Sequence, residues 1–312
     1  MQSSRKTAMN PFQKMTCILR RSLHFLIFSR YLVLYTTLGL SAFFMLTGCA
    51  QEPGGPLFKV SDASYKSITD AVFETISSQV FFVGEHHDNP HHHVNQLELI
   101  REIHEKGEKP LAIGLEMFET GYQAHLDQWV AGKLAVEEFV KIYYENWDQA
   151  WILYRDIFLY AREHQIPLLG LNVPRKVVRK VAQKGFGSLT PADMQELPQG
   201  VTCDVTPPYE NFIKRVFGWH GKKNGSFTNF CEAQVLWDTG MAINLLKFHD
   251  QNPGTKLVVL AGDGHAWKPG IPRQISLRKD LPMVVFLPET AKLHRKNVAQ
   301  TDTDYLWLLT FM

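Results

Sequence analysis

Polar side chains that could carry acid–base or metal chemistry stand just after three short apolar segments. These residues are Glu85, His87, Glu116 and His265. In addition, five of the 13 histidines fall between positions 86 and 93, far more than a random distribution would place there. Imidazole and carboxylate groups are ligands for ions such as zinc, manganese or iron. The same groups could instead form a general acid–base pair without a metal, because histidine titrates near neutral pH. The sequence leaves both chemistries open.

Motifs for covalent hydrolysis and for nucleotide binding are missing from the sequence. No Gly-x-Ser-x-Gly segment precedes a predicted helix, so a serine hydrolase triad is not indicated. The His-Glu-x-x-His motif of zinc peptidases and the Walker phosphate-binding loop do not occur either. The candidate chemistry therefore depends on the four acidic and histidine side chains.

The apolar segments are typical of buried strands, because they are short and are followed by turn residues. With three further segments, the predicted strands are Val80–Val83, Leu111–Leu115, Pro167–Leu171, Leu257–Ala261, Met283–Leu287 and Tyr305–Phe311. In an open α/β sheet, ligands bind beyond the carboxyl ends of the strands. We therefore expect the four candidate residues to converge on one crevice.

Stretches with helical periodicity alternate with these strands. They are Asp62–Ser77, His93–Glu105, Tyr122–Val130, Val136–Glu145, Trp147–His164, Pro174–Lys184, Pro208–Phe217 and Thr228–His249. Strands separated by helices predict an α/β fold, with a mostly parallel central sheet and helices on both faces. The stretch 197–225, which is rich in Pro and Gly, is expected to form an insertion or helical lid on this fold.

Charge and composition exclude several classes of protein. Apolar residues make up 45% of the 312 residues and charged residues 21%, which excludes a disordered chain and a multi-span membrane protein. Residues 1–49 hold six of the 33 Lys and Arg residues and none of the 31 Asp and Glu residues. The remainder carries a formal charge of −4, so a basic nucleic-acid-binding face is not expected.

The first 49 residues have the pattern of a bacterial secretory signal. A basic stretch precedes the apolar run 31–46 and the exit Leu46-Thr47-Gly48-Cys49, which resembles the lipobox of bacterial lipoproteins. We expect residues 1–49 to be a lipoprotein signal peptide with Cys49 lipidated; a plain membrane anchor is the alternative. Residues 50–60 are then a flexible tether and residues 61–312 the folded domain. Because Ala50 rather than Asp follows the cysteine, we expect an outer-membrane anchor with the domain facing the periplasm.

Four cysteines are too few for a disulfide-rich scaffold. Beyond Cys49, the sequence contains only Cys203 and Cys231, in a compartment that permits disulfides. Their spacing does not decide between a bridge and two free thiols.

Several motifs around the predicted strand ends resemble those of a known family. They are Gly84–Pro90 with His92, His93 and Gln96, then Gly114–Phe118, Leu168–Arg175, Asn229-Phe230, Ala233-Gln234, Asp238, Met241-Ala242 and Gly262–Ala266. Over residues 68–290 the chain resembles the haem-binding uptake family typified by ChaN, within the Tiki, TraB and erythromycin-esterase superfamily. One departure is Asp263, where that family more usually has Asn.

The resemblance implies a lipid-anchored protein of iron acquisition that binds haem, with two haems stacked between two protomers. It also implies a tyrosine ligand for the haem iron, assisted by a histidine of the partner subunit. Phenolate is a sound ligand for ferric haem. We assign the ligand to Tyr209 and its polar partner to His220, with aromatic residues such as Phe212 facing the macrocycle. These aromatic residues could equally form only the small core of the lid.

Two functions of different classes follow. In the first, the protein is a binding module that holds haem for an outer-membrane haem receptor, as a haem-driven homodimer. In the second, Glu85, His87, Glu116 and His265 form the site of a metal-dependent hydrolase or a metallopeptidase-like enzyme. The first rests on the resemblance and the lipid anchor, and the second on the strand-end residues themselves.

Overall fold

The computed structural model describes residues 57–217 and 226–308. These residues belong to one compact unit, 53–312. The predicted signal peptide, its lipidation site Cys49 and most of the predicted tether lie outside the described residues. His220, the predicted partner of the haem ligand, lies outside them as well.

Eight strands of the described residues form one sheet. They are β1 Leu57–Lys59, β2 Ser64–Lys66, β3 Val80–Glu85, β4 Leu111–Glu119, β5 Leu168–Asn172, β6 Lys256–Gly262, β7 Met283–Pro288 and β8 Tyr305–Trp307. The order across the sheet is β2-β1-β8-β7-β3-β6-β4-β5. The pairs from β8 to β5 are parallel, whereas β1 pairs antiparallel with both β2 and β8. The carboxyl ends of the parallel strands therefore share one edge of the sheet.

Helices cover both faces of this sheet. In the described residues they are α1 Ile68–Thr75, α2 Pro90–Lys106, α3 Gln123–Val130, α4 Val136–Asn146, α5 Trp151–Glu163, α6 Arg175–Lys184, α7 Pro191–Gln195, α8 Pro207–Phe217, α9 Phe227–Gln251, α10 Asp263–Ala266 and α11 Ile271–Ser276. Helices α1 to α5 pack on the face that carries Phe81 and Val83. Helices α8, α9 and α11 pack on the opposite face, against Val80 and Phe82. The predicted α/β fold with a mostly parallel central sheet is confirmed.

The structure moves the predicted boundaries near the start of the domain. The first predicted helix begins only at Ile68, because Ser64–Lys66 pairs with β1 as an edge strand. Leu57 is fully buried and pairs with Trp307 of β8. Residues 57–60 therefore belong to the folded domain rather than to the tether.

The predicted insertion at 197–225 contributes helix α8 to the described residues, and its residues 218–225 lie outside them. Cys203, in this insertion, and Cys231, in α9, are both free thiols. The Cys203 thiol donates to the carbonyl oxygen of Glu232 at 3.1 Å. Within the described part of the chain, no helix is long and apolar enough to cross a membrane.

Candidate functional site

Three neighbouring parallel strands bring the predicted residues together. Strands β3 and β6 pair in register, with Glu85 opposite Gly262. Strand β4 flanks β6 on its other side and carries Glu116, while His265 lies in α10 directly after β6. The strand ends open into a crevice of about 800 Å³, which Glu85, His87, Glu116 and His265 all line. The chemical roles of these residues stay predictions.

Glu85 is buried and organises the first half of the crevice. Its carboxylate accepts from His87 Nδ1 at 2.8 Å, from Gln96 Nε2 at 2.7 Å and from the hydroxyl of Tyr154, while His93 Nδ1 lies 3.4 Å away. Burial alone would raise the pKa of Glu85, but the imidazoles of His87 and His93 outweigh burial and lower the pKa. Glu85 is therefore a carboxylate anion that fixes two imidazole rings.

His265 organises the second half of the crevice. Its Nδ1 lies 2.7 Å from an oxygen of Asp238, and its Nε2 lies 3.8 Å from an oxygen of Glu116. Burial alone would lower the pKa of His265, but the charges of Glu116 and Asp238 outweigh burial and raise the pKa to about 9. The two carboxylates therefore favour the protonated ring. In that form His265 can donate a proton or a hydrogen bond to a ligand.

Gly262 allows the two halves to meet. Its backbone N–H donates to Glu116 Oε2 at 2.6 Å. A Cβ atom at this position would lie 2.9 Å from His87 Cε1, which is closer than real contacts allow. The missing side chain thus leaves room for the His87 ring next to the Glu116 carboxylate, whose charge contributes to the raised pKa of His87. Burial, which alone would lower that pKa, is outweighed by the Glu85 and Glu116 carboxylates.

The prediction of a divalent metal is not supported. Within residues 57–217 and 226–308, no group of three or more His, Cys, Asp or Glu side chains is placed to hold a metal ion. Within the crevice, His87 and His265 each bind one carboxylate, Glu85 and Asp238, and Glu116 accepts from the Gly262 N–H.

Sequence reasoning did not assign a role to Asp238, which holds His265. Asp238 is fully buried in the long helix α9. A carboxylate inside an otherwise apolar helix face is the signal that could have identified it, because buried carboxylates need a partner. Asp263, where the chain departs from the family pattern, binds His86 Nε2 at 3.1 Å. This hydrogen bond raises the pKa of His86.

Tyr209, the predicted haem ligand, lies in α8 and is only 5% exposed. Its hydroxyl donates to Asp238 Oδ2 at 2.6 Å, so the chain of contacts runs from Tyr209 through Asp238 to His265. Burial and the Asp238 charge raise the pKa of the Tyr209 hydroxyl well above its ordinary value. Ligation of iron by Tyr209 stays a prediction, and it requires the hydroxyl to leave Asp238.

The sequence motifs at this crevice match a known protein family. Residues 72–275, about two thirds of the chain, match the family described as "Haem-binding uptake, Tiki superfamily, ChaN". The chain belongs to this family. The match includes all four predicted crevice residues, Asp238 and Tyr209.

Two further comparisons found a similar fold and a related sequence. The fold is similar to a solved structure described as "Cofacial heme binding to ChaN of Campylobacter jejuni", with a TM-score of 0.64 and 20% identity over 82% of this chain and 96% of that one. The chain is also 24% identical, over 262 residues, to Protein RETICULATA-RELATED 5, chloroplastic, of Arabidopsis thaliana. That match covers 74% of this chain but only 34% of the plant protein, so the chain spans about a third of that relative.

Proposed function

We propose that this protein binds haem and serves haem or iron acquisition. The observation that carries the proposal is the match to the haem-binding uptake family over residues 72–275. The similarity of the fold to ChaN of Campylobacter jejuni, which binds haem cofacially, supports the same function.

The residues around Tyr209 fit a haem group chemically. Tyr209 lines a cavity of about 960 Å³ next to α8. The same cavity is lined by three cations, Lys268, Arg273 and Arg278, and by the exposed Leu277. Cations suit the propionates, and an apolar side chain suits the macrocycle. Ferric haem supplies an iron that takes an anionic oxygen ligand. We propose Tyr209 as that ligand, with His220 as its polar partner.

The proposed setting is the bacterial outer membrane. A lipid on Cys49 would hold the domain at the membrane surface, facing the periplasm, where a haem receptor could exchange haem with it. A haem bound to one protomer exposes the face that the protein does not cover. Stacking of this face against the haem of a second protomer would remove apolar surface from water. We therefore propose a haem-driven homodimer.

Native mass spectrometry of the purified protein, with and without hemin, tests haem binding and dimerisation together. We expect a mass increase of one haem per chain that survives desalting, together with a dimer that forms only when hemin is present. Retention of no haem would overturn the proposal. A haem-loaded monomer would leave haem binding in place and overturn the cofacial dimer.

A second candidate function is acid–base catalysis in the crevice. The observation that favours it is the chain Tyr209–Asp238–His265–Glu116, in which a protonated imidazole faces a carboxylate across 3.8 Å. His265 would protonate a leaving group, and Glu116 would activate water as the base. Hydrolysis of a peptide or ester panel that is lost in His265→Ala would support this enzyme, and a complete lack of turnover would exclude it for that panel.

A further inference from the structure

Helix α6 carries two arginines that line the crevice and have no carboxylate partner for their guanidinium groups among the described residues. Arg175 and Arg179 lie one helical turn apart and both line the crevice. Two of the three lysines of the same helix are paired, Lys176 with Glu196 at 2.7 Å and Lys180 with Asp193 at 2.5 Å. In the described residues, by contrast, no carboxylate lies within ion-pair distance of either arginine side chain. The Arg175 guanidinium packs over the Trp147 ring at 5.6 Å.

This arrangement is unfavourable for an isolated helix. Arg175 is the first residue of α6, where the helix dipole is positive and favours anions rather than cations. Like charges spaced i, i+4 also repel each other. The N-cap residue Pro174 provides no side-chain hydrogen bond, and the Glu119 carboxylate accepts from the Arg175 N–H at 2.9 Å. An anion between the two guanidinium groups would offset the repulsion between them.

Helix α9 contributes unpaired polar atoms to the same crevice. Gln234 is only 4% exposed, and its Oε1 has no hydrogen-bond partner among the described residues. The indole N–H of Trp237, one helical turn further on, is likewise buried without an acceptor in that part of the chain. Both side chains line the crevice, and Trp237 packs edge-on to the His265 ring. A buried acceptor and donor left unpaired cost free energy, which a ligand with one N–H and one carbonyl would recover.

The acidic residues of the crevice restrict the charge of such a ligand. Glu116, Asp148 and Asp263 also line it, and their charges disfavour a dianion such as a phosphate monoester. Arginine binds a carboxylate through two parallel hydrogen bonds. We propose that the crevice binds a small carboxylic acid with a neighbouring amide. Arg175 and Arg179 hold the carboxylate, while Gln234 and Trp237 bind the amide.

This site is separate from the cavity beside Tyr209, and it exists whether or not the protein binds haem. Haem propionates offer the same carboxylate chemistry, so the test must distinguish the two sources. The probe is N-acetylglycine, which combines one carboxylate with one amide. Its control is N-acetylglycinamide, which keeps the amide and lacks the charge.

Isothermal titration calorimetry of the purified full-length protein measures both ligands. We expect N-acetylglycine to bind and N-acetylglycinamide to bind at least about tenfold more weakly. Arg175→Gln and Arg179→Gln should each weaken N-acetylglycine binding by about tenfold. Gln234→Leu should weaken it by a smaller factor. Lys176→Gln removes a charge from the same helix outside the crevice and should leave binding unchanged. Thermal melts of each variant establish that it folds.

Three results would overturn the proposal. The first is no binding of N-acetylglycine by the unmodified protein. The second is equal binding of the charged and neutral probes, which would show that the carboxylate is not recognised, or an equal loss in Lys176→Gln, which would show a non-specific charge effect. The third concerns hemin titrated into the same variants. An unchanged hemin affinity supports a separate site, whereas hemin affinity that falls together with that of the probe would assign Arg175 and Arg179 to the propionates.

Discussion

His265 is a buried cation held between Asp238 and Glu116, and its charge links the stability of the domain to pH. The folded-state pKa of about 9 lies above the ordinary value of 6.5. The stabilisation from the protonated ring is therefore complete below pH 6.5 and is lost as the pH rises towards 9. A shift of this size corresponds to about 3 kcal/mol.

We predict that the unmodified protein has a larger free energy of unfolding than His265→Gln at pH 6.5. This margin should shrink by about 3 kcal/mol between pH 6.5 and pH 9, as the His265 ring loses its proton. Urea unfolding at a series of pH values measures this margin. An NMR titration of the His265 ring in the unmodified protein provides an independent reading. A ring that titrates at or below pH 6.5 would contradict the ion-pair description.

Gly262→Ala tests the contact between the two halves of the crevice. The added Cβ would meet His87 Cε1 at 2.9 Å, so the ring must shift from its position beside Glu116. We expect a loss of about 1–3 kcal/mol in unfolding free energy and a lower His87 pKa, because part of the Glu116 attraction disappears. Urea unfolding and an NMR titration measure the two effects.

Gly121→Ala is the matched control for Gly262→Ala, since a Cβ at position 121 would meet no atom within 4 Å. It should leave both the stability and the His87 titration close to those of the unmodified protein. Equal behaviour of the two variants would show that the crevice has more room at Gly262 than the structure gives it.

At the scale of elements, α8 and α9 are joined by the hydrogen bond from Tyr209 to Asp238. Tyr209→Phe removes this bond to a buried charged group and should lower the unfolding free energy by about 1.5–3 kcal/mol. The same variant should lose the ferric-phenolate absorbance of bound hemin, because only the oxygen donor is removed. Urea unfolding and absorbance spectra measure the two consequences.

Tyr65→Phe serves as the control for Tyr209→Phe, because Tyr65 is 59% exposed and lies on the edge strand β2. It should change neither stability nor the hemin spectrum appreciably. A Tyr209→Phe protein with an unmodified hemin spectrum would show that another residue ligates the iron.

The central elements could be predicted from the sequence, but the edge of the sheet could not. Buried parallel strands such as β3 and β6 are continuous apolar runs, and their carboxyl ends locate the crevice. Strands β1 and β2 are three residues long, and β1 pairs with β8, which lies more than 240 residues away in sequence. No local pattern encodes such a contact. A carboxylate inside an apolar helix face indicates that Asp238 needs a partner, but only the fold identifies His265 and Tyr209 as its partners.

At the scale of the whole molecule, the lipid anchor is the first prediction to test. Cys49→Ala should leave an unprocessed precursor, because the cysteine thiol is the site of acylation in the predicted lipobox. Immunoblotting of membrane and soluble fractions measures processing and location. Cys203→Ala, which changes a thiol inside the folded domain, should be processed normally. A Cys49→Ala protein with unchanged processing and membrane retention would contradict the lipoprotein assignment.

Haem binding is the central claim, and a hemin titration followed by absorbance in the Soret region tests it most directly. We predict a shifted Soret band that grows in proportion to added hemin and stops sharply at one haem per chain. A spectrum that remains that of free hemin, or a signal that rises without saturation, would contradict haem binding by this protein.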